Sequence, residues 1–98
     1  MHNIIIYQLS IENNNIFRDY EWATRSGHLD TSGYHKVWSG ELYTNNLNKI
    51  FEIFNLNHPS DYRGHSLSIS DIVSVDGVLY FVNDFGFVEL KEMEMPTD

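Results

Sequence analysis

The sequence predicts an α+β fold, a mainly antiparallel sheet of about five strands in the order β-α-β-α-β-β-β with two helices on one face. Three observations predict it. Leu47, Ile50, Phe51 and Phe54 recur at i, i+3, i+4 and i+7, the spacing of one buried helical face. Asp76-Gly77, the pair favoured in a type I′ two-residue hairpin, lies between Ile72-Val73-Ser74-Val75 and Val78-Leu79-Tyr80-Phe81-Val82. The remaining runs alternate with polar breaks, without an internal repeat, linker or low-complexity block, so residues 1–98 read as a single domain.

Taken in order, Asn3 to Leu9 carries Ile4-Ile5-Ile6-Tyr7 and reads as a strand. Its continuous apolar run suits a central strand covered on both faces. Glu12-Asn13-Asn14-Asn15 is a polar break able to supply a helix cap. Ile16 to Ser26 reads as a helix with Phe17, Tyr20 and Ala23 or Thr24 on one face and Gly27 as its C-terminal cap. Tyr20 and Trp22 equally fit an extended segment. His28 to Gly33 is a loop, and Tyr34 to Tyr43 a second strand with Gly40 at a bulge. Thr44 or Asn45 caps the second helix. Asn55 suits a left-handed terminal residue and Pro59 forbids continuation. Ser66 to Asp71 alternates polar and apolar, the period of a half-buried strand with Leu67 and Ile69 inward, and Gly64 marks a place where a Cβ is penalised. After the hairpin, Asn83-Asp84 turns the chain into Phe85 to Leu90. Residues 91–98 form an acidic tail expected to fray.

Composition narrows the function classes. A chain of 98 residues that is 42% hydrophobic and 14% aromatic is globular. Six Lys+Arg against 14 Asp+Glu give a net charge of −8, which repels phosphate backbones, and the six cations are scattered. Direct nucleic-acid binding is therefore not expected. The acidic excess serves solubility, or it attracts a protein partner with a basic, nucleic-acid-handling surface. The absence of cysteine excludes a disulfide framework, a thiolate zinc site and a Cys nucleophile. No apolar run approaches the ~20 residues of a membrane span, and the N-terminus lacks the features of a signal peptide, which predicts a cytoplasmic protein.

The densest polar stretch runs from His58 to Asp71. His58, His65, Asp61 and Asp71 are of the right types for a metal, but their spacing matches no helical pair or zinc pattern. Ser66, Ser68 or Ser70 with His65 and Asp71 can be drawn as nucleophile, base and orienter, yet no nucleophile elbow accompanies them. Turn chemistry accounts for the same residues: Asp and Ser cap backbone N–H groups and His holds a loop. No enzyme, metal or cofactor is expected, and Gly64 and Gly86 stand alone rather than in a phosphate loop. Tyr62, Trp22 and Trp38 are candidate interface anchors.

Phe51, Phe54-Asn55, His58-Pro59, Asp61-Tyr62, Gly64-His65-Ser66-Leu67-Ser68, Ser70-Asp71 and Val73 together resemble the signature of YodL-like domains. Ile6-Tyr7-Gln8-Leu9, Tyr80, Val82 and Phe85-Gly86-Phe87 extend the resemblance. It is close from 47 to 88 and weak over 10–45, and Asn83-Asp84 stands where the family commonly places an Asp after the strand valine. The resemblance implies one of two roles. Stand-alone members look like sporulation-linked proteins acting on cell shape through the actin-like cytoskeleton. Others are domains of plasmid, phage and conjugative-element proteins beside antirestriction modules. The small, acidic, cysteine-free build is also similar to that of anti-CRISPR and antirestriction inhibitors.

The expectation is thus a small non-enzymatic protein-binding inhibitor from a mobile element or phage, acting in counter-defence on a nucleic-acid-handling effector. A cytoskeletal modulator is the alternative, and a metal-dependent or serine hydrolase using residues 58–71 a remote one. The expected partner contacts are Asp61, Tyr62, Arg63 and His65 as exposed residues of the central stretch, with the acids Asp76, Asp84, Glu89, Glu92 and Glu94.

Overall fold

A computed structural model describes residues 1–91 and Met95. Strand β1 (His2–Leu9) is central, because its apolar run has something to cover on both sides. It pairs with β2 (Tyr34–Leu42) at one edge and β3 (Ile72–Val75) at the other. Strands β4 (Val78–Val82) and β5 (Phe87–Leu90) follow, giving the antiparallel order β2-β1-β3-β4-β5. The fold class, strand number and order of elements are those expected.

The placement of the helices differs. Ile4, Ile6, Val73, Val75 and Val82 pack on the same side as Ile50 and Phe54 of helix α2 (Leu47–Leu56). The intervening Tyr7, Leu9, Ile72 and Phe81 pack with Ala23 of helix α1 (Tyr20–Ala23). Successive strand residues point to opposite faces, so the helices lie on opposite faces rather than on one. Apolar residues at both parities of β1, β3 and β4 require that arrangement.

Helix α1 is one turn long rather than reaching from Ile16 to Ser26. Phe17 has a φ of 63°, which interrupts any helix begun before it, and the turn restarts with Asp19 Oδ1 accepting from the Trp22 amide. Gly27 (φ 109°) donates its amide to Thr24 O after the helix has already ended. Helix α2 follows its predicted face closely. Ile50 and Phe54 are buried, and the Phe54 ring meets Trp38 and Tyr62 edge-on at 5.1 and 4.9 Å. Burial of a side chain like Phe54 contributes roughly 1.5–3 kcal/mol. Its cap is Asn46, whose Oδ1 accepts from the Lys49 amide, while Thr44 Oγ1 accepts from the Asn46 amide.

The bulge lies at Val37, not Gly40. The register passes from Ile6 opposite Trp38 to Tyr7 opposite Lys36, which leaves Val37 extra. Gly40 is needed for a different reason: a Cβ there would stand 2.5 Å from the Trp38 ring. At the β3–β4 turn, Asp76 and Gly77 have φ of 50° and 89°, as a type I′ turn demands.

Ser66 to Asp71 is not a strand; β3 begins at Ile72. Leu67 is buried as expected, but Ser70 takes a φ of 86°; only Ser70 N and Asp71 O bond a strand's backbone, at Val82 of β4, and side chains serve the backbone before them. Asn55, which stands within α2 rather than at a left-handed terminus, accepts from Leu67 N at 2.6 Å and donates to Leu67 O at 3.1 Å. Asn55→Ala leaves both groups of Leu67 without these bonds. It is predicted to lower stability by ~1–3 kcal/mol in chemical denaturation, whereas Asn48→Ala on the exposed side of α2 shifts it by less than about 0.5 kcal/mol.

Candidate docking surface and the polar network beneath it

Gln8 of β1 points to the α2 side of the sheet and is buried. Its Oε1 accepts from the His65 amide at 3.1 Å. Its Nε2 lies 2.9 Å from each of Tyr62 Oη, His65 O and Asp71 Oδ2. One side-chain amide thereby does for the segment what a neighbouring strand's backbone would do. A Cβ on Gly64 would run into Gln8 Oε1 and the Tyr62 hydroxyl, so glycine is required there by close approach. The Tyr62 hydroxyl donates to His65 O, and Tyr34 of β2 donates to Ser70 O.

Asp71 is completely buried. Burial pushes its carboxyl up to about 7, against the opposing effect of the Ser68 amide and the Gln8 side chain, which both donate to Oδ2. Burial, and then the charge of Asp71, push the Tyr62 hydroxyl up to about 12, and the same causes raise Tyr34. His65 Nδ1 lies 2.7 Å from Ser66 O, and its Nε2 is 3.9 Å from Asp71 Oδ1. The drawn Ser–His–Asp arrangement is not assembled. Ser68 Oγ donates to Ser66 O, and Ser70 Oγ accepts from the Phe17 amide. His58 contacts Pro59 O and the Tyr62 ring, and no group of three or more His, Asp or Glu able to hold a metal occurs among the described residues.

The expected contact residues are dispersed. Tyr62 is not exposed: its ring packs on Phe54 while its hydroxyl serves the network. Asp61 and Arg63 are exposed, with Asp61 Oδ1 accepting from Trp38 Nε1 and Arg63 donating to Ser60 O. His65 is partly exposed. Asp76 sits by the start of β1, where it accepts from the Asn3 amide and pairs with His2, the bond that lowers its pKa. That start is roughly 20 Å along the strand from Gln8. Asp84 and Glu89 are exposed on the β4–β5 turn and on β5, whereas Glu92 and Glu94 lie outside the described residues.

A different surface is assembled at the Gln8 end of the sheet. Phe17, Trp22 and Phe85 expose 49%, 39% and 96% of their surface there. The Arg18 and Arg25 guanidiniums stand 4.5 and 4.3 Å from the centre of the Trp22 ring. Phe17, Trp22, both arginines, Ile69 and Asp84 line an open depression of about 560 Å³. Asp84 also borders a smaller one with Phe51 and Phe87. The Tyr20 amide donates to Asn83 Oδ1 at 3.0 Å, fastening α1 to the β4–β5 turn that carries Phe85. Of the three anchors named from sequence only Trp22 is at the surface; Trp38 and Tyr62 are core. Phe17 and Phe85 were missed because an isolated aromatic reads as core. The available signal was local: Phe17-Arg18 and Trp22…Arg25 place two of the six cations beside aromatics.

The buried carboxyl has a measurable consequence. The folded chain holds the Asp71 proton up to about pH 7, whereas an unfolded aspartate releases it near pH 4. The stabilisation by that proton is fully present below about pH 4 and is lost as the pH rises through about 7. Asp71→Asn keeps an acceptor for Gln8 and Ser68 without the ionisation. Relative to the variant, the parent is predicted to lose roughly 2–4 kcal/mol between pH 4 and pH 8 in denaturant titrations. A constant difference across that range contradicts the assignment.

Among the described residues no helix is long and apolar enough to cross a membrane. No curated protein and no solved structure was found to match the chain. The family model described as the YodL-like domain matches residues 3–93, from the second residue of β1 past the end of β5. The chain belongs to the YodL-like domain family.

Proposed function

We propose that this domain is a cytoplasmic protein-binding inhibitor of the counter-defence type, carried by a mobile element or phage. It seats its Phe17–Trp22–Phe85 end on the basic, nucleic-acid-holding surface of an effector such as an RNA-guided nuclease. The observation that carries this reading is the gathering of three exposed aromatics on one end of the sheet, on elements joined by the Asn83 side chain. Exposed aromatics of this kind dominate binding energy at protein interfaces. Asp19, Glu21 and Asp84 line the same depression, and the chain carries a net charge of −8, which complements a basic partner. The two arginines stack on the indole and stiffen it for contact.

The test is relief of restriction when the chain is expressed in a defended bacterial host, together with co-elution of the purified domain with the purified nuclease. Replacing Phe17, Trp22 and Phe85 together by Ala is predicted to weaken binding at least ~10-fold and restore defence. Tyr43→Ala, at an exposed aromatic on another part of the surface, leaves binding unchanged. Added salt weakens the complex. A triple variant that binds as the parent does contradicts the assignment of the surface.

A further inference from the structure

Beneath the docking end, two buried atoms face each other without other partners. His65 Nε2 and Asp71 Oδ1 are 3.9 Å apart, and neither has a hydrogen bond to any other group. The remaining atoms of both side chains are committed. His65 Nδ1 lies 2.7 Å from the carbonyl of Ser66, which can only accept, and 3.3 Å from Gln8 Nε2, which can only donate; the shorter contact, to the carbonyl, puts the hydrogen on Nδ1, and Gln8 Nε2 has its nearer acceptors at 2.9 Å. Asp71 Oδ2 takes the Ser68 amide at 2.8 Å and the Gln8 side chain at 2.9 Å. With Nδ1–H fixed, a neutral imidazole presents a lone pair at Nε2 and a carboxylate presents another at Oδ1. Two buried acceptors pointed at each other are unfavourable, and a proton on either one turns the 3.9 Å contact, too long for a hydrogen bond, from repulsion into attraction. It does so whether it resides on the acid or on the imidazole, and the two groups then titrate as a pair.

We propose that His65 and Asp71 hold one proton between them and that this proton latches the Phe17 side of the docking end to the polar segment. The path from the pair to the surface is short. The Phe17 ring lies edge-on to the His65 ring at 5.4 Å. The Phe17 amide donates to the hydroxyl of Ser70, the neighbour of Asp71 in the chain. Phe17 and Ser70 both have left-handed φ, 63° and 86°, a conformation that such residues keep only while their surroundings enforce it. Removing the proton sets Nε2 against Oδ1, turns the His65 ring away, and releases the contact that positions Phe17. Among the described residues, Tyr62, from the same segment, and Tyr34, from β2, are ionisable groups whose titration senses Asp71. Gln8 of β1 and the Phe17 ring face the pair as neutral groups.

The consequence for binding rests on the proposed docking function, but the latch itself does not, so the experiment uses the free chain. In the full-length domain, labelled with nitrogen-15 and with carbon-13 at aspartate and aromatic side chains, the His65 ring nitrogens and the Asp71 carboxyl carbon are followed by NMR from pH 4 to pH 10. The expected result is that the two sites change together in common steps, with the Phe17 ring resonances shifting in the step that removes the shared proton. In Asp71→Asn, whose amide can donate to Nε2 permanently, the Phe17 resonances stay constant over the same range. Independent single-step titrations of His65 and Asp71 overturn the shared proton. Coupled titration with unmoving Phe17 resonances overturns the latch. Both readouts come from the parent chain alone, so they stand if the variant fails to fold. Loss of partner binding in the Phe17, Trp22 and Phe85 variants is a separate result that touches only the docking function.

Discussion

The structure depends on one substitution of side chain for backbone. The segment from Pro59 to Asp71 leaves the end of α2 and meets the sheet only at Ser70 and Asp71, whose backbone bonds Val82 of β4, yet several of its other polar groups are buried. Buried N–H and C=O groups demand partners. Gln8, Asp71 and Asn55 provide them, reaching the backbone of His65, Ser68 and Leu67. Gln8 reaches the segment because it stands near the end of the central strand, on the face that α2 covers. A buried carboxyl is tolerated at the centre because its Oδ2 receives two donors and burial favours its protonated form.

That network also fixes what the surface can offer. Phe17 is tied to Ser70 and leans on His65, so an aromatic otherwise free to collapse stays half in solvent. Asn83 performs the same office on the other side, binding α1 to the turn that carries Phe85. Two polar bonds between segments distant in sequence thus present aromatics that the sheet alone has no means of orienting. Of the acids expected to mark the interface, Asp76 and Asp84 lie at opposite ends of the sheet, and Asp61 and Asp76 are engaged by Trp38 and by His2 with the Asn3 amide.

Much of the fold was legible in the sequence because it follows from periodicity. The α2 face, the Asp76-Gly77 hairpin and the run of Ile4 to Tyr7 each report a local rule that tertiary structure leaves intact. The failures have a common cause. The alternation in Ser66 to Asp71 has the period of a strand, but Asn55, distant in sequence, supplies the partner of Leu67, and backbone pairing with β4 starts only at Ser70 and Asp71. The helix expected from Ile16 is broken by the left-handed conformation of Phe17, enforced by a bond to Ser70, 53 residues away. The single-face placement of the helices overlooked that the apolar run of β1 already required cover on both sides. The candidate site was the least legible part. Exposure of Phe17 and Phe85 is decided by what packs around them, and composition alone assigns such residues to the core.

The central claim is that Gln8 holds the 59–71 segment in place and, through it, Phe17. Hydrogen exchange measured on the parent chain and on Gln8→Leu tests this most directly, since the substitution keeps volume and removes both hydrogen-bonding ends. The account predicts that Gln8→Leu loses amide protection at His65, Ser68, Asp71 and Phe17 while β3 and β4 keep theirs. Unchanged protection at those four amides in a folded Gln8→Leu contradicts it.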